Sequence, residues 1–119
     1  MSDFSLAGPI RSHTPTRLTG NTATTVFTGG SGTSIASIIC TPTSGTPTCT
    51  IEICNAAGTG VMKLRAAQAT TAGTPLIFNE AITLPPDYII KVTSSSATGD
   101  MDVMVTTAVA VAAASPRAK

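Results

Sequence analysis

Aromatic side chains are almost missing from this chain: tryptophan is absent, and Phe4, Phe27, Phe78 and Tyr88 are the only rings among 119 residues. Small β modules usually hold bases or sugars by stacking them on rings, so a ligand platform of that kind is poorly supplied. Charge is scarce as well. Seven basic and six acidic residues make up 11% of the chain and leave a net charge of +1. No field of one sign exists to draw in a nucleic acid or an acidic membrane, and neither is expected as a partner. Long apolar runs are lacking too. The longest, Ala108 to Ala114, is seven residues of Ala and Val, whereas a bilayer-spanning helix needs about 20. The opening MSDFSLAGPIR carries an early acid and no apolar core of a secretory signal, so synthesis in a cytosol is the expectation.

What remains is Thr, Ser, Ala and Gly on a 42% hydrophobic background. A chain of this length supports one compact domain, burying roughly two thirds of its extended surface. With so few charges, much of the solvent face must consist of hydroxyls, Ala and Gly. Such an exterior points to a partner, or copies of the chain itself, covering part of it in the working state.

The three cysteines, Cys40, Cys49 and Cys54, are spaced C-x8-C-x4-C, and His13 is the only imidazole. A metal site of that composition lacks a fourth ligand. Cys40 and Cys49 would face each other if they closed and opened successive strands of a hairpin, and would then form a disulfide in an oxidising setting. Free buried thiols acting as small hydrophobes are the preferred reading for a chain made in a cytosol.

Residues 1–24 contain Gly8, Pro9, Pro15 and Gly20 among Ser, Thr, Arg11, His13 and Arg17, without helical or strand period, and read as an extended N-terminal arm. From Thr25 on, short runs of Val, Ile, Thr and Phe alternate with Gly, Pro, Ser and Asn clusters. Strands are expected near Thr25–Thr28, Ser34–Thr41, Thr48–Cys54, Val61–Ala66, Pro75–Phe78, Ala81–Leu84, Tyr88–Thr93 and Met101–Val105. A final strand is expected through Val111. Cys49, Ile51 and Ile53 alternate with polar neighbours, as do Met101, Val103 and Val105, so one face is dry. The pairs Ile38–Ile39 and Ile89–Ile90 put apolar groups on both faces. The best helix candidate, Val61 to Ala72, is stopped by Thr70, Thr71 and Gly73. Leu84-Pro-Pro-Asp-Tyr marks a corner where the chain changes sheet, because Pro85 and Pro86 donate nothing to a ladder. The expected fold is all-β: an antiparallel β-sandwich, jelly-roll-like, of about seven or eight strands over residues 25–107. A C-terminal extension follows at 108–119.

No constellation of catalytic residues emerges. His13 sits in the arm, away from any Ser or Cys it would serve as base. Asp87, Asp100 and Asp102 could approach a Ca²⁺ ion but lack further oxygen ligands, and solvated carboxylates are the simpler account. Glu52 and Glu80 as an acid/base pair would need rings to grip a sugar. Gly29-Gly30-Ser31-Gly32 and Gly58-Thr59-Gly60 lack the helix and Lys of a phosphate loop and read as turns. Lys63 and Arg65 on one strand face, with Lys91, make a small basic patch with too few charges and no interleaved rings for a nucleic-acid site, and suited as well to pairing across subunits with Glu52, Glu80 or Asp102. The chain is therefore expected to be neither an enzyme nor a holder of a cofactor or metal.

The phrases Leu18-Thr-Gly-Asn-Thr-Ala-Thr-Thr-Val-Phe-Thr-Gly, Ile35-Ala-Ser-Ile-Ile, Cys49-Thr-Ile-Glu-Ile, the corner Ile82-Thr-Leu-Pro-Pro-Asp-Tyr-Ile-Ile-Lys-Val and Met101-Asp-Val-Met-Val resemble small accessory virion proteins of tailed bacteriophages over residues 18–107. That resemblance implies a β-sandwich that decorates or cements a capsid, bound to the major capsid protein as a homo-oligomer, most often a trimer. Such a protein is located in the virion after synthesis in the host cytoplasm. No active-site residues are carried over. A neck, tail or spike component is the alternative in the same setting, and a carbohydrate-binding or adhesive β module is the alternative outside it. From the arm and the doubly apolar strands, the expected interaction residues are Phe4, Leu6, Ile10, Arg11, Arg17, Ile39 and Ile89.

Overall fold

The computed structural model describes residues 10–12, 15–30 and 33–108. Ten strands run in chain order: β1 (Ile10–Ser12), β2 (Thr16–Leu18), β3 (Thr24–Thr28), β4 (Thr33–Pro42), β5 (Thr48–Cys54), β6 (Gly60–Ala69), β7 (Leu76–Phe78), β8 (Ile82–Leu84), β9 (Ile89–Ser94) and β10 (Met101–Ala108). All pairings are antiparallel. The helix candidate at 61–72 is the strand β6.

The strands form two sheets. In the first, β10 and β4 lie side by side at the centre; β1 and β2 both flank β10, while β7 and β8 both flank β4. The second has the order β3-β9-β5-β6. If β1 with β2, and β7 with β8, each count as one interrupted strand, the ten occupy eight positions ordered 1-8-3-6 and 2-7-4-5 along the chain. That is the strand order of an eight-stranded jelly roll. The short strands in the 10–18 stretch were not legible as strands. Three residues each, polar and interrupted at Pro15, they are defined by their partner β10 rather than by an apolar alternation of their own. The expectations for Phe4, Leu6, His13 and residues 109–119 fall outside the described residues.

The period-2 pattern sets the core. Ile35, Ile38, Cys40, Val103 and Val105 from the first sheet pack with Phe27, Cys49, Ile51, Ile53, Ile90 and Val92 from the second, closed by Leu18, Phe78, Leu84 and Met101. Most are fully inaccessible, and each large aliphatic contributes about 1.5–3 kcal/mol by leaving water. Cross-strand rows are regular: Ile38 opposes both Val105 and Phe78, and Ile51 opposes Val92.

Cys40 and Cys49 meet in this layer, both buried and both free thiols. They face each other between the sheets and not across a hairpin, because the chain crosses from the first sheet to the second between β4 and β5. Contact with Cys49, reinforced by burial, pushes the Cys40 thiol well above its ordinary value, so it stays protonated and packs as a small hydrophobe.

The crossing loops clasp one another at one end of the sandwich. The Thr43 N–H donates to the Asp100 carbonyl at 2.8 Å, that of Ala72 to Gly45 at 3.0 Å and that of Ser95 to Thr48 at 3.0 Å. The buried Ser94 hydroxyl donates to the Gly99 carbonyl at 2.6 Å. Gly99 is required here, with φ of +80° and a backbone so close to Leu18 that a Cβ would overlap the Leu18 carbonyl. The strand β2 is further tied to β10 by a two-pronged ion pair: Arg17 Nε to Asp102 Oδ1 at 2.7 Å and Arg17 Nη2 to Asp102 Oδ2 at 2.9 Å.

Gly99→Ala should lower stability in urea titration by about 2 kcal/mol or more, combining left-handed strain with backbone overlap. Gly45→Ala, at φ of +67° but with open space around it, should cost about 1 kcal/mol. Separately, hydrogen bonding to Arg17 holds the Asp102 carboxyl below the usual carboxylate range. A carboxylate lowered by folding contributes stability that is present above its unfolded value, about 4, and lost as pH falls through the folded one. Amide protection at residues 16–18 should therefore fall below about pH 4. In Asp102→Asn it should already be reduced at neutral pH, with no further step on acidification.

Candidate interaction surfaces

Outward-facing residues of the first sheet alternate with its core residues, and several are apolar. Ile39 of β4 lies between Ile77 of β7 on one side and Met104 of β10 on the other, giving an apolar row across three strands. Ile77 is 52% exposed. Pro15, Ile39, Thr41, Asp102, Val103 and Met104 line a shallow hollow of about 400 Å³. The next cross-strand row, Arg17–Asp102–Thr41, forms its polar rim. Arg17 is largely exposed there, its charge matched by Asp102.

The second sheet ends in β6, whose outer edge pairs with no strand among the described residues. Its ten residues are mostly exposed, yet its register against β5 slips three times. Each slip inserts a residue that has no partner, and such bulges twist an edge away from further pairing. One slip separates Lys63, which opposes Glu52, from Arg65, which opposes Ile51. Arg65 therefore turns to the side of the sandwich and covers the Phe78 ring of β7 at 4.8 Å from its centroid. The expected basic patch is thus divided. Lys63 and Lys91 oppose Glu52 from its two neighbouring strands, while Arg65 bridges the sheets.

The hairpin that joins β5 to β6 is a hydrogen-bonded tip. Asn55 organises it: its N–H donates to the Thr59 carbonyl at 2.9 Å, its carbonyl accepts from Gly58 at 2.9 Å, and its Oδ1 accepts from the Ala57 and Thr59 N–H groups, each at 3.0 Å. Val61 and Met62, at the start of β6, stand 57% and 58% exposed beside this turn. The Glu52 carboxylate lies against Gly60.

Of the residues expected to interact, Ile39 lines the hollow, and Arg17 reaches its edge only through its bond to Asp102. Ile89 is half-buried on β9 of the other sheet, opposite Thr28 and Cys54. Ile10 and Arg11 pair with Ala108 and Thr107 through β1. Val61, Met62, Ile77 and Met104 were not singled out from the sequence. The exposed Val-Met dipeptide beside a Gly-rich turn was the available signal for the first two. Asp100 accepts from Ser96 Oγ at 2.6 Å and Thr98 Oγ1 at 2.7 Å, so it braces its own loop. Among the described residues no three His, Cys, Asp or Glu side chains gather as a metal site would require.

No family model and no curated protein matches the chain. Two solved viral structures are similar to it in outline. One is infectious bursal disease virus of the Gx strain, at 14% identity and a TM-score of 0.42, covering 92% of this chain and 37% of that one. The other is a point mutant of the VP2 protein of infectious bursal disease virus, in derived T=1 particles, at 15% identity and a TM-score of 0.41, covering 88% of this chain and 33% of that one. The chain thus spans about a third of the length of the structures it matches.

Proposed function

We propose that this protein is a non-enzymatic structural subunit of a virion, of the cement or decoration type. It seats on the outside of a tailed-phage head, against the major capsid protein. The observation that carries this reading is the exterior of the sandwich. Ile39, Ile77 and Met104 form an outward apolar row where a fully solvated sheet would alternate to polar side chains, and the whole chain has only 11% charged residues to keep such a surface dispersed. Covering that row removes apolar area from water, which is the main driving force for association. The clasped loops and the hydrogen-bonded Asn55 turn support the same reading, since a subunit that enters a lattice without rearranging loses less entropy on binding. Jelly-roll order is shared by capsid, lectin and cupin domains and does not choose among them; the apolar row on the exterior is what supports the virion reading.

The test is occupancy on particles. Purified chain is incubated with phage heads that lack it, and bound copies are counted against the major shell protein by quantitative mass spectrometry. Saturable binding at a fixed ratio is expected, with Ile77→Asp reducing affinity about tenfold or more while leaving the fold intact, since Ile77 lies outside the core. An absence of binding to any head preparation overturns the proposal.

A further inference from the structure

We infer that Cys40 and Cys49 are a latent cross-link between the two sheets: in an oxidising medium they join as a disulfide that staples β4 to β5 through the core. The thiols are already in contact, the Cys40 S–H donating to the Cys49 sulfur, and both side chains are fully inaccessible within the core layer. No backbone ladder holds one against the other. Cys40 has Val103 and Leu76 beside it in the first sheet, while Cys49 has Ser94 and Gln68 beside it in the second. Side-chain packing alone therefore sets the contact that a covalent bond would make permanent. The third cysteine is excluded by position. Cys54 lies five residues along β5 from Cys49, an odd offset that puts it on the opposite face, near Glu52 and Lys91 and outside the core cluster.

The oxidant is a small disulfide such as oxidised glutathione. Cys49 is the attacking group, because the hydrogen bond from Cys40 holds its thiol below the ordinary value against the opposing effect of burial, and the thiolate is the nucleophile. Its sulfur displaces one glutathione thiolate and forms a mixed disulfide. Cys40 then gives up its proton to solvent and attacks the Cys49 sulfur, releasing the second glutathione. Two electrons pass to the glutathione disulfide, which leaves as two thiols, and the protein loses two hydrogens. With both sulfurs shielded from solvent, the exchange runs through transient openings around the crossing at residues 43–47, and the finished bond is shielded from reductants in the same way. It closes a ten-residue loop, Cys40 to Cys49, and so removes freedom from the unfolded chain. This inference does not depend on the proposed function.

The full chain carrying Cys54→Ala provides the test. It is incubated with oxidised glutathione in dilute urea, which permits opening, and returned to buffer. Intact-mass measurement should show a loss of about 2 Da, peptide mapping should join Cys40 to Cys49, and the melting midpoint should stand roughly 10 °C above that of the same chain reduced. In the same background Cys49→Val, which keeps an apolar strand residue, should gain nothing from the oxidant, and Cys40→Ala repeats that arm should the valine disturb the packing. The wild type should form the same link and leave Cys54 open to alkylation once unfolded. Two alkylatable thiols at Cys40 and Cys49 after oxidation, a wild-type link that engages Cys54, or a linked chain that melts no higher than the reduced one each overturns the inference.

Discussion

Packing of Ile38, Val103 and Val105 against Ile51, Ile53, Ile90 and Val92 is the contact on which the rest of the structure depends. These side chains come from the middle strands of both sheets, and their alternation with outward residues fixes register throughout, because a slip of one residue would turn every apolar group to water. The connections then follow from the need to stay in register. Each crossing between sheets is short, and crossing loops hydrogen-bond to one another at both ends, Thr43 to Asp100 at one and Gly29 to Tyr88 and Asp87 to Gly30 at the other. With little charge to spend on surface ion pairs, the fold relies on this layer and on backbone pairing. The Arg17–Asp102 tie adds orientation to a short strand more than stability, as exposed pairs generally do.

Much of this layout was legible in the residues themselves. Thr48–Cys54 reads as a strand at its observed limits because Cys49, Ile51 and Ile53 alternate strictly, and the Pro85–Pro86 corner separates β8 in one sheet from β9 in the other. The doubled Ile38–Ile39 divides as expected between core and outer face. What escaped was whatever depends on a partner. The strands β1 and β2 have no apolar rhythm and exist through β10. The slips in β6 arise because β6 spans ten residues beside seven of β5, a mismatch invisible in either segment alone. Cys40 and Cys49 are the free buried thiols expected, and it is the sheet crossing, a topological fact, that sets them between layers rather than across a hairpin.

The two sheets manage their edges differently. The first breaks its outer positions into pairs of three-residue strands, too short to template another chain. The second keeps one long edge but bends it out of register, and lays Arg65 over Phe78 to close the side of the sandwich. Both devices leave side chains rather than backbone as the means of contact. That suits a body whose apolar residues outside the core cluster at a hydrogen-bonded tip and in a shallow hollow.

Ile10 pairs with Ala108, so the first and last described strands meet at a single corner, beside Ser34. Any peptide grafted before Ile10 or after Ala108 would emerge from that same point. The two could be linked by a brief spacer, and new ends opened at the Gly45 turn, to give a circular permutant with the same interior.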